Sequence, residues 1–436
     1  MRAMKDSGIE WIGEIPREWS TIRLRSRFSF GKGLPITKAD LTESGIGVVS
    51  YGQIHSKANI GTTIKPELIR YVDCKYLNSN ASSLVNNGDF IFADTSEDIS
   101  GCGNCVYVDA NGPLFAGYHT MILRPVEELS TKYYSYLFAT DAWRSQIRAQ
   151  ASGVKLFSIT QKMLRDALLI EPSEEEKVQI VKYLDEKCEA IDALITAKEK
   201  TNALLKERRQ SIIYEAVTKG LNPDAPMKDS GVEWIGEIPE EWETRRIKYC
   251  FDVFAGATPK SGNSEFWDGD VVWVTPADYT TEQKYITQGR KYITQEGFES
   301  CSTELIPAGS LIFSKRAPIG LVAINMVELC TNQGCLSCVP KDGNDVEYFY
   351  YAFSCFAEQF DLYGSGTTFK EISADAFVNF PIPFPSTEEQ KEISEHLRIK
   401  CSELDTLISA NEATIQKLKE YRQSIIYEAV TGKIEI

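Results

Sequence analysis

The chain has 436 residues, 43% hydrophobic and 25% charged, with a formal net charge of −15. That length calls for two or more domains. The lack of any 18-residue apolar run excludes a transmembrane helix, and the polar opening "MRAMKDSGIEW" has no signal-peptide core, so a cytoplasmic location without membrane contact is expected. The acidic balance taken alone argues against nucleic acid, whose phosphates call for Lys and Arg. Eleven cysteines without a secretion signal read as reduced thiols.

In chain order, the first feature is "MKDSGIEWIGEIPREW" at residues 4–19. It returns as "MKDSGVEWIGEIPEEW" at 227–242, with 14 of 16 positions identical. Trp11, Trp19, Trp234 and Trp242 read as core or domain-junction anchors, because large aromatics dominate burial. Each copy is followed by short runs rich in Val, Ile, Tyr, Phe and Thr, such as "IGVVSY", "DFIFAD", "DVVWVT" and "GSLIFS". These predict a mixed, mostly β domain in each half. A short helix near its end is predicted at "TKYYSYLFATDAWRSQI" and at "VEYFYYAFSCFAEQF".

Next come "PSEEEK" after Glu171 and "PSTEEQK" after Phe384. Ser173 with Glu176, and Ser386 with Glu389, have the spacing of a capping box. Apolar residues then recur every three or four positions: Ile180, Leu184, Cys188, Ile191 and Ile195, matched by Ile393, Leu397, Cys401, Leu404 and Ile408. Leu205, Ile212 and Ala216 extend the first stripe, and Leu418, Ile425 and Ala429 the second. The spacing predicts two helices of about 45 residues, or roughly 65 Å each, ending near Gly220 and Gly432. Stripes that long want each other as partners, most simply antiparallel. "SIIYEAVT" closes both helices, so the chain is two copies of one unit of about 215 residues.

Charge divides unevenly between these parts. Residues 20–160 carry 14 Lys+Arg and 12 Asp+Glu, a net of +2; residues 243–375 carry 11 and 18, a net of −7. Neither balance is that of an autonomous DNA-binding module.

The doubled "KDSG(I/V)EWIGEIP", the "PSxEE" entry to a long helix, the doubled "SIIYEAVT" and the stretch "GATPKSGNSEFWDGDVVWVTPAD" together resemble the specificity subunit of type I restriction-modification enzymes. The resemblance spans essentially the whole chain. It implies an α+β architecture: two mixed, mostly β target recognition domains joined by two long helices packed as an antiparallel coiled coil, with internal pseudo-two-fold symmetry. The expected domains are 1–160 (first recognition domain), 161–220 (first helical spacer), 221–373 (second recognition domain) and 374–436 (second spacer). Each recognition domain would read half of a split site in double-stranded DNA. The helices would set the gap and dock two modification (methyltransferase) subunits, which restriction (helicase-nuclease) subunits join. S-adenosylmethionine, ATP and Mg are expected in those partners, and no cofactor on this chain. The alternatives are a specificity-type scaffold in a methylation-only complex and a coiled-coil assembly protein that binds no DNA.

Comparing the two halves suggests where bases would be read. "GDFIFADTS" at 88–96 lies against "GSLIFSKRA" at 309–317, opposing Asp94 and Thr95 to Lys315 and Arg316. "LFAGYHT" lies against "LCTNQGC", opposing Tyr118 and His119 to Asn332 and Gln333; "VVSYGQI" against "WVTPADY" opposes Gln53 to Asp278. The apolar framework persists and the polar edge changes, as a base-reading surface requires. Arg suits guanine, Asn and Gln suit adenine, and Asp accepts from cytosine. The candidate DNA contacts are Gln53, His55, Lys57, Asp94, Thr95, Tyr118, His119, Lys155, Lys260, Asp278, Tyr279, Lys315, Arg316, Asn332, Gln333, Thr367 and Thr368. For each the plain alternative is a solvated loop residue. The Gly-Ser stretches holding Lys155, Thr367 and Thr368 either offer backbone N–H groups to phosphate or are tight turns.

Catalytic motifs are missing from the sequence. An adenine methyltransferase would carry an Asn/Asp-Pro-Pro-aromatic motif, and "NPDAP" at 222–226 lacks the aromatic. "FGKG" at 30–33 is too short for a cofactor loop, and "TGKIEI" is no Walker A sequence. Cys102 with Cys105, and Cys335 with Cys338 near Cys330, have metal-clip spacing, but one clip lies in each half at non-equivalent positions. Buried apolar thiols are the expected reading and no metal site is expected. His55, His119 and His396 form no motif. A non-catalytic subunit is therefore expected.

Overall fold

Ser173 and Ser386 open the two long helices. In each, the hydroxyl accepts the backbone N–H of the glutamate three residues on, and that glutamate's carboxylate accepts the serine N–H, at 3.1–3.3 Å. The helices run Glu174–Lys219 and Thr387–Val430. They stop at Gly220 and just before Gly432, whose φ angles of +73° and +68° disfavour any side chain. This computed structural model describes residues 2–59, 61–127, 130–153, 155–281, 283–341, 343–366 and 370–436.

The chain divides into two units: Met1–Lys198 with Ala413–Ile436, and Glu199–Glu412. Each long helix therefore contributes one half to each unit. In the first unit, Ile180, Leu184, Cys188, Ile191 and Ile195 share a core with Ile415, Ile425, Ile426, Ala429 and Val430. In the second, Ile213, Ala216 and Val217 share one with Ile393, Leu397 and Cys401. The helices run antiparallel there, since Asn202 accepts from Asn411 at 2.9 Å and Arg209 meets Asp405 at 3.1 Å. Asn202 is buried within the predicted apolar stripe. Such a polar pair fixes register at some cost in stability.

The first unit starts with the antiparallel hairpin Met4–Asp6/Glu14–Pro16. A four-stranded antiparallel sheet follows, ordered Cys105–Tyr107, Phe90–Ala93, Thr120–Pro125 and Phe28–Lys32. A five-stranded mixed sheet contains Ile46–Val49 parallel to Leu114–Ala116. Ser20–Arg23 pairs with Leu168–Glu171 just before the long helix. The second unit repeats this plan. It has hairpin Met227–Asp229/Glu237–Pro239, strand Leu311–Ser314 inside a five-stranded sheet, Trp267–Val274 parallel to Cys330–Thr331, and Glu243–Arg246 with Pro381–Phe384.

The expected short helix is two helices in each unit: Lys132–Ala139 and Asp141–Arg148, then Val346–Cys355 and Ala357–Leu362. In the first unit the break is Thr140, extended at ψ 140°, whose side chain caps the next helix by accepting from Trp143 N. Cys330, Cys335 and Cys338 are buried on strands, and burial pushes the Cys335 thiol up to about 12.

The repeated sentence is a socket for helix ends. Trp19 donates to Glu176 at 3.1 Å, and Trp242 to Glu389 at 3.1 Å, so one carboxylate both caps a helix and anchors an indole. Tyr427 and Lys433 reach the carbonyl of Ile12 at 3.2 and 3.1 Å, and Tyr214 reaches that of Ile235 at 3.2 Å. The four tryptophans are not alike, however. Trp19 and Trp242 are buried, while Trp11 is 37% exposed. Trp234 stacks on Phe380 at 5.3 Å, and the corresponding residue of the first unit is Ala167, which offers Trp11 no ring.

Candidate nucleic-acid interface

The strand Phe90–Ala93 and its counterpart Leu311–Ser314 each end in the polar pair singled out from the sequence. Backbone bonds fix the equivalence. Asp94 N donates to His119 O at 3.0 Å, as Lys315 N does to Gly334 O at 2.9 Å; Gly117 N donates to Val49 O, as Asn332 N does to Val274 O. Tyr118 and His119 therefore correspond to Gln333 and Gly334, one residue along from the expected pairing with Asn332 and Gln333.

In the first unit the edge is a hydrogen-bonded cluster. Thr95 Oγ1 donates to Asp94 Oδ1 at 2.8 Å, and His119 Nδ1 lies 3.4 Å from that oxygen. His119 has φ +55°, in the left-handed region that few residues other than glycine enter, and its side chain is exposed. Tyr51 packs edge-on to both His119 and Tyr118, at 5.4 and 5.7 Å between ring centres. An open cleft of about 460 Å³ lies alongside, lined by Lys32, Asp94, Tyr118, His119, Thr160 and Gln161 among others. His55 sits behind the edge as a brace. Its Nε2 contacts Thr95 O at 2.9 Å, so that nitrogen carries the proton, and Nδ1 receives Asn104 Nδ2 at 3.1 Å.

In the second unit, Lys315 Nζ and Arg316 Nε grip the two oxygens of Glu371, at 2.8 and 2.7 Å. The Lys315 hydrogen bond, followed by that of Arg316, holds the Glu371 carboxyl below its ordinary value. Glu371 bridges Arg316 through the backbone, where Ser158 pairs with Thr95 in the first unit. The framework is one and the same, but the side chains on it are Thr and Ser in one case and Arg and Glu in the other. Glu371 was not among the sequence candidates.

Several candidates are structural. Gln53 accepts Ser50 N at 2.9 Å and Asp278 accepts Thr275 N at 2.7 Å, so both close capping boxes at the same place in the repeat. Their difference is a swap of one capping side chain for another. Asp278 also accepts Arg290 N at 2.9 Å, and its side chain is 4% exposed. Tyr279 is 2% exposed, with its hydroxyl 3.7 Å from Cys335 Sγ, and belongs to the core. Asn332 caps a turn by accepting Gly334 N at 2.9 Å, while Gln333 is exposed and bonded to Thr258. Lys57, Lys155 and Lys260 are exposed on loops. Thr367 and Thr368 lie outside the described residues. Among the described residues no cluster of three His, Cys, Asp or Glu is arranged to hold a metal ion.

This doubled architecture is found in proteins already known. The type I restriction modification DNA specificity domain model matches twice, at residues 16–206 and 239–420. The putative type I restriction enzyme MjaX specificity subunit of Methanocaldococcus jannaschii is 24% identical over 98% of this chain and 96% of its own length. The MjaIX specificity subunit of the same organism is 39% identical over 37% of this chain, a match spanning 38% of that relative. Among solved structures, a chain from work on complex assembly and conformational transition of the type I R-M system superposes with TM-score 0.73 at 20% identity, covering 96% of this chain and 99% of that one. The HsdS subunit from Thermoanaerobacter tengcongensis gives 0.52 at 18% identity, covering 96% and 98%. With the framework doubled and both halves matched, the chain belongs to the type I restriction-modification DNA specificity family.

Proposed function

We propose that each unit carries the reader for one half of a bipartite site in duplex DNA, and that the two long helices set the unread gap and dock the modification subunits. The observation that carries this reading is the equivalent edge with unlike chemistry: Asp94, Thr95 and His119 on one framework, Lys315 and Arg316 on the other. A surface serving one common ligand would keep its polar groups; a pair of readers for different base sequences changes them. The chain itself is non-catalytic in this reading. Methyl transfer from S-adenosylmethionine to adenine resides in the modification subunits, and ATP- and Mg-dependent translocation and cleavage in restriction subunits.

The net charges of +2 and −7 over residues 20–160 and 243–375 give little phosphate neutralisation. DNA is therefore held tightly only in the complex, where partner subunits supply further cations. The test is sequencing of methylated adenine in cells that express this chain with its modification subunits. A motif of two half-sites separated by unread positions is expected, with no methylation by the chain alone. Methyl transfer by the rigorously purified single chain, or an uninterrupted motif, overturns the reading.

A further inference from the structure

We propose that Glu371 is a specificity-determining positioning residue that aims Arg316 at a guanine in the half-site read by the second unit. This rests on the reading of that unit as a base reader. Glu371 takes Arg316 through Nε, at 2.7 Å from Oε2, and anchors its other oxygen on Lys315 Nζ at 2.8 Å. The backbones of Arg316 and Glu371 are bridged, and Glu371 is bridged a second time to Ser365. The carboxylate is thus fixed from both sides, and it fixes the near edge of the guanidinium.

A guanidinium held at Nε still has its terminal nitrogens to offer. Among the described residues no hydrogen bond occupies them, and the Arg316 side chain is 43% exposed. Those nitrogens present parallel donors, which match the O6 and N7 acceptors on the major-groove edge of guanine. Adenine sets a donor beside its N7 and refuses one arm of the fork. A flexible arginine meets guanine and phosphate alike; one gripped by a carboxylate loses the freedom to swing onto the backbone. The equivalent bridge of the first unit carries Thr95 and Ser158. Their short hydroxyls cannot make this contact, so the guanine preference belongs to one half-site only.

The experiment uses the full chain in complex with its modification subunits, and measures methyl transfer on duplexes carrying the mapped site and each of its single-base changes. Arg316→Ala is expected to relax a guanine preference at one position of one half-site by about 5- to 150-fold. Glu371→Ala relaxes that same position, Glu371→Gln relaxes it less, and the double replacement relaxes it no further than Arg316→Ala, the signature of two residues acting as one. Thermal melting accompanies each variant. Should the alanine protein melt early, Glu371→Gln, which keeps the shape and one acceptor oxygen, decides the matter. An unchanged base preference in the Glu371 variants, or a fall shared by all duplexes alike, overturns the proposal. A wild-type complex with no sequence preference in that half-site defeats instead the reading of the unit as a base reader.

Discussion

Asp192 on the first long helix holds Arg422 of the second at 3.0 Å. The same two repeat positions meet again as Asp405 and Arg209, at 3.1 Å, with cation and anion exchanged between the helices. The Arg422 side chain is 11% exposed and Asp192 38%, which places the pair between surface and interior. Replacing Arg422 with Ala is expected to cost about 1–2 kcal/mol, between the value of an exposed pair and that of a broken buried one. Reversing both charges, Arg422→Asp with Asp192→Arg, should recover part of that loss in a thermal unfolding experiment. No recovery would mean that packing of the arginine stem, and not the ion pair, carries the energy.

The tryptophans of the repeated sentence differ in how they are held. Trp242 is buried and hydrogen-bonded to Glu389, so Trp242→Ala is expected to cost about 3–5 kcal/mol. Trp11, at 37% exposure, should cost under about 1 kcal/mol when replaced by Ala. Equal losses, measured by denaturant titration, would show that Trp11 is held by contacts its exposure does not suggest.

Acid should erase the difference between wild type and Glu371→Gln. The folded carboxyl lies below its ordinary 4.5, first through the Lys315 hydrogen bond, so its contribution is complete above that value and is lost as pH falls through the folded one. The wild type is therefore the more stable at neutral pH, and the two melting curves converge on acidification. A gap that widens toward low pH contradicts the ion-pair geometry.

Lengthening the spacer tests its role as a ruler. One heptad added at matching places in both helices keeps the stripes in phase and adds about 10 Å, or about three base pairs. Methylated-base sequencing should find the same half-sites with a wider gap. An active complex with its original gap refutes the helices as ruler.

Much of this molecule could be read in its sequence. The capping serines, the terminal glycines and the apolar stripes are local signals, and the helices begin and end where those signals lie. The framework strands were legible because the repeat shows which apolar positions persist. What escaped depends on contacts far along the chain. Glu371 meets Arg316 across 55 residues, and nothing in "FKEIS" marks it as a partner. Gln53 and Asp278 are the exception: Ser50 and Thr275, three residues before them, give the same spacing as the boxes that open the long helices, a local signal that a comparison of polar edges alone passes over. Asn202 and Asn411 escaped because polar residues between apolar ones read as solvent positions until the opposite helix is known.

The socket at residues 4–19 has a consequence for synthesis. The second unit, Glu199–Glu412, is one continuous stretch of chain, whereas the first awaits Ala413–Ile436. Tyr133 donates to Val430 O at 2.9 Å, and Ile12 O takes Tyr427 and Lys433, so several contacts of the first unit have no partners while that stretch is unmade. At about 5–20 residues per second a ribosome leaves this half open for roughly 10–40 s. The half translated later is thus the one that can close first. During that interval the helix face ending at Ile195 is exposed to whatever else the cell offers, which makes a nascent-chain chaperone most needed by the portion that emerged earliest.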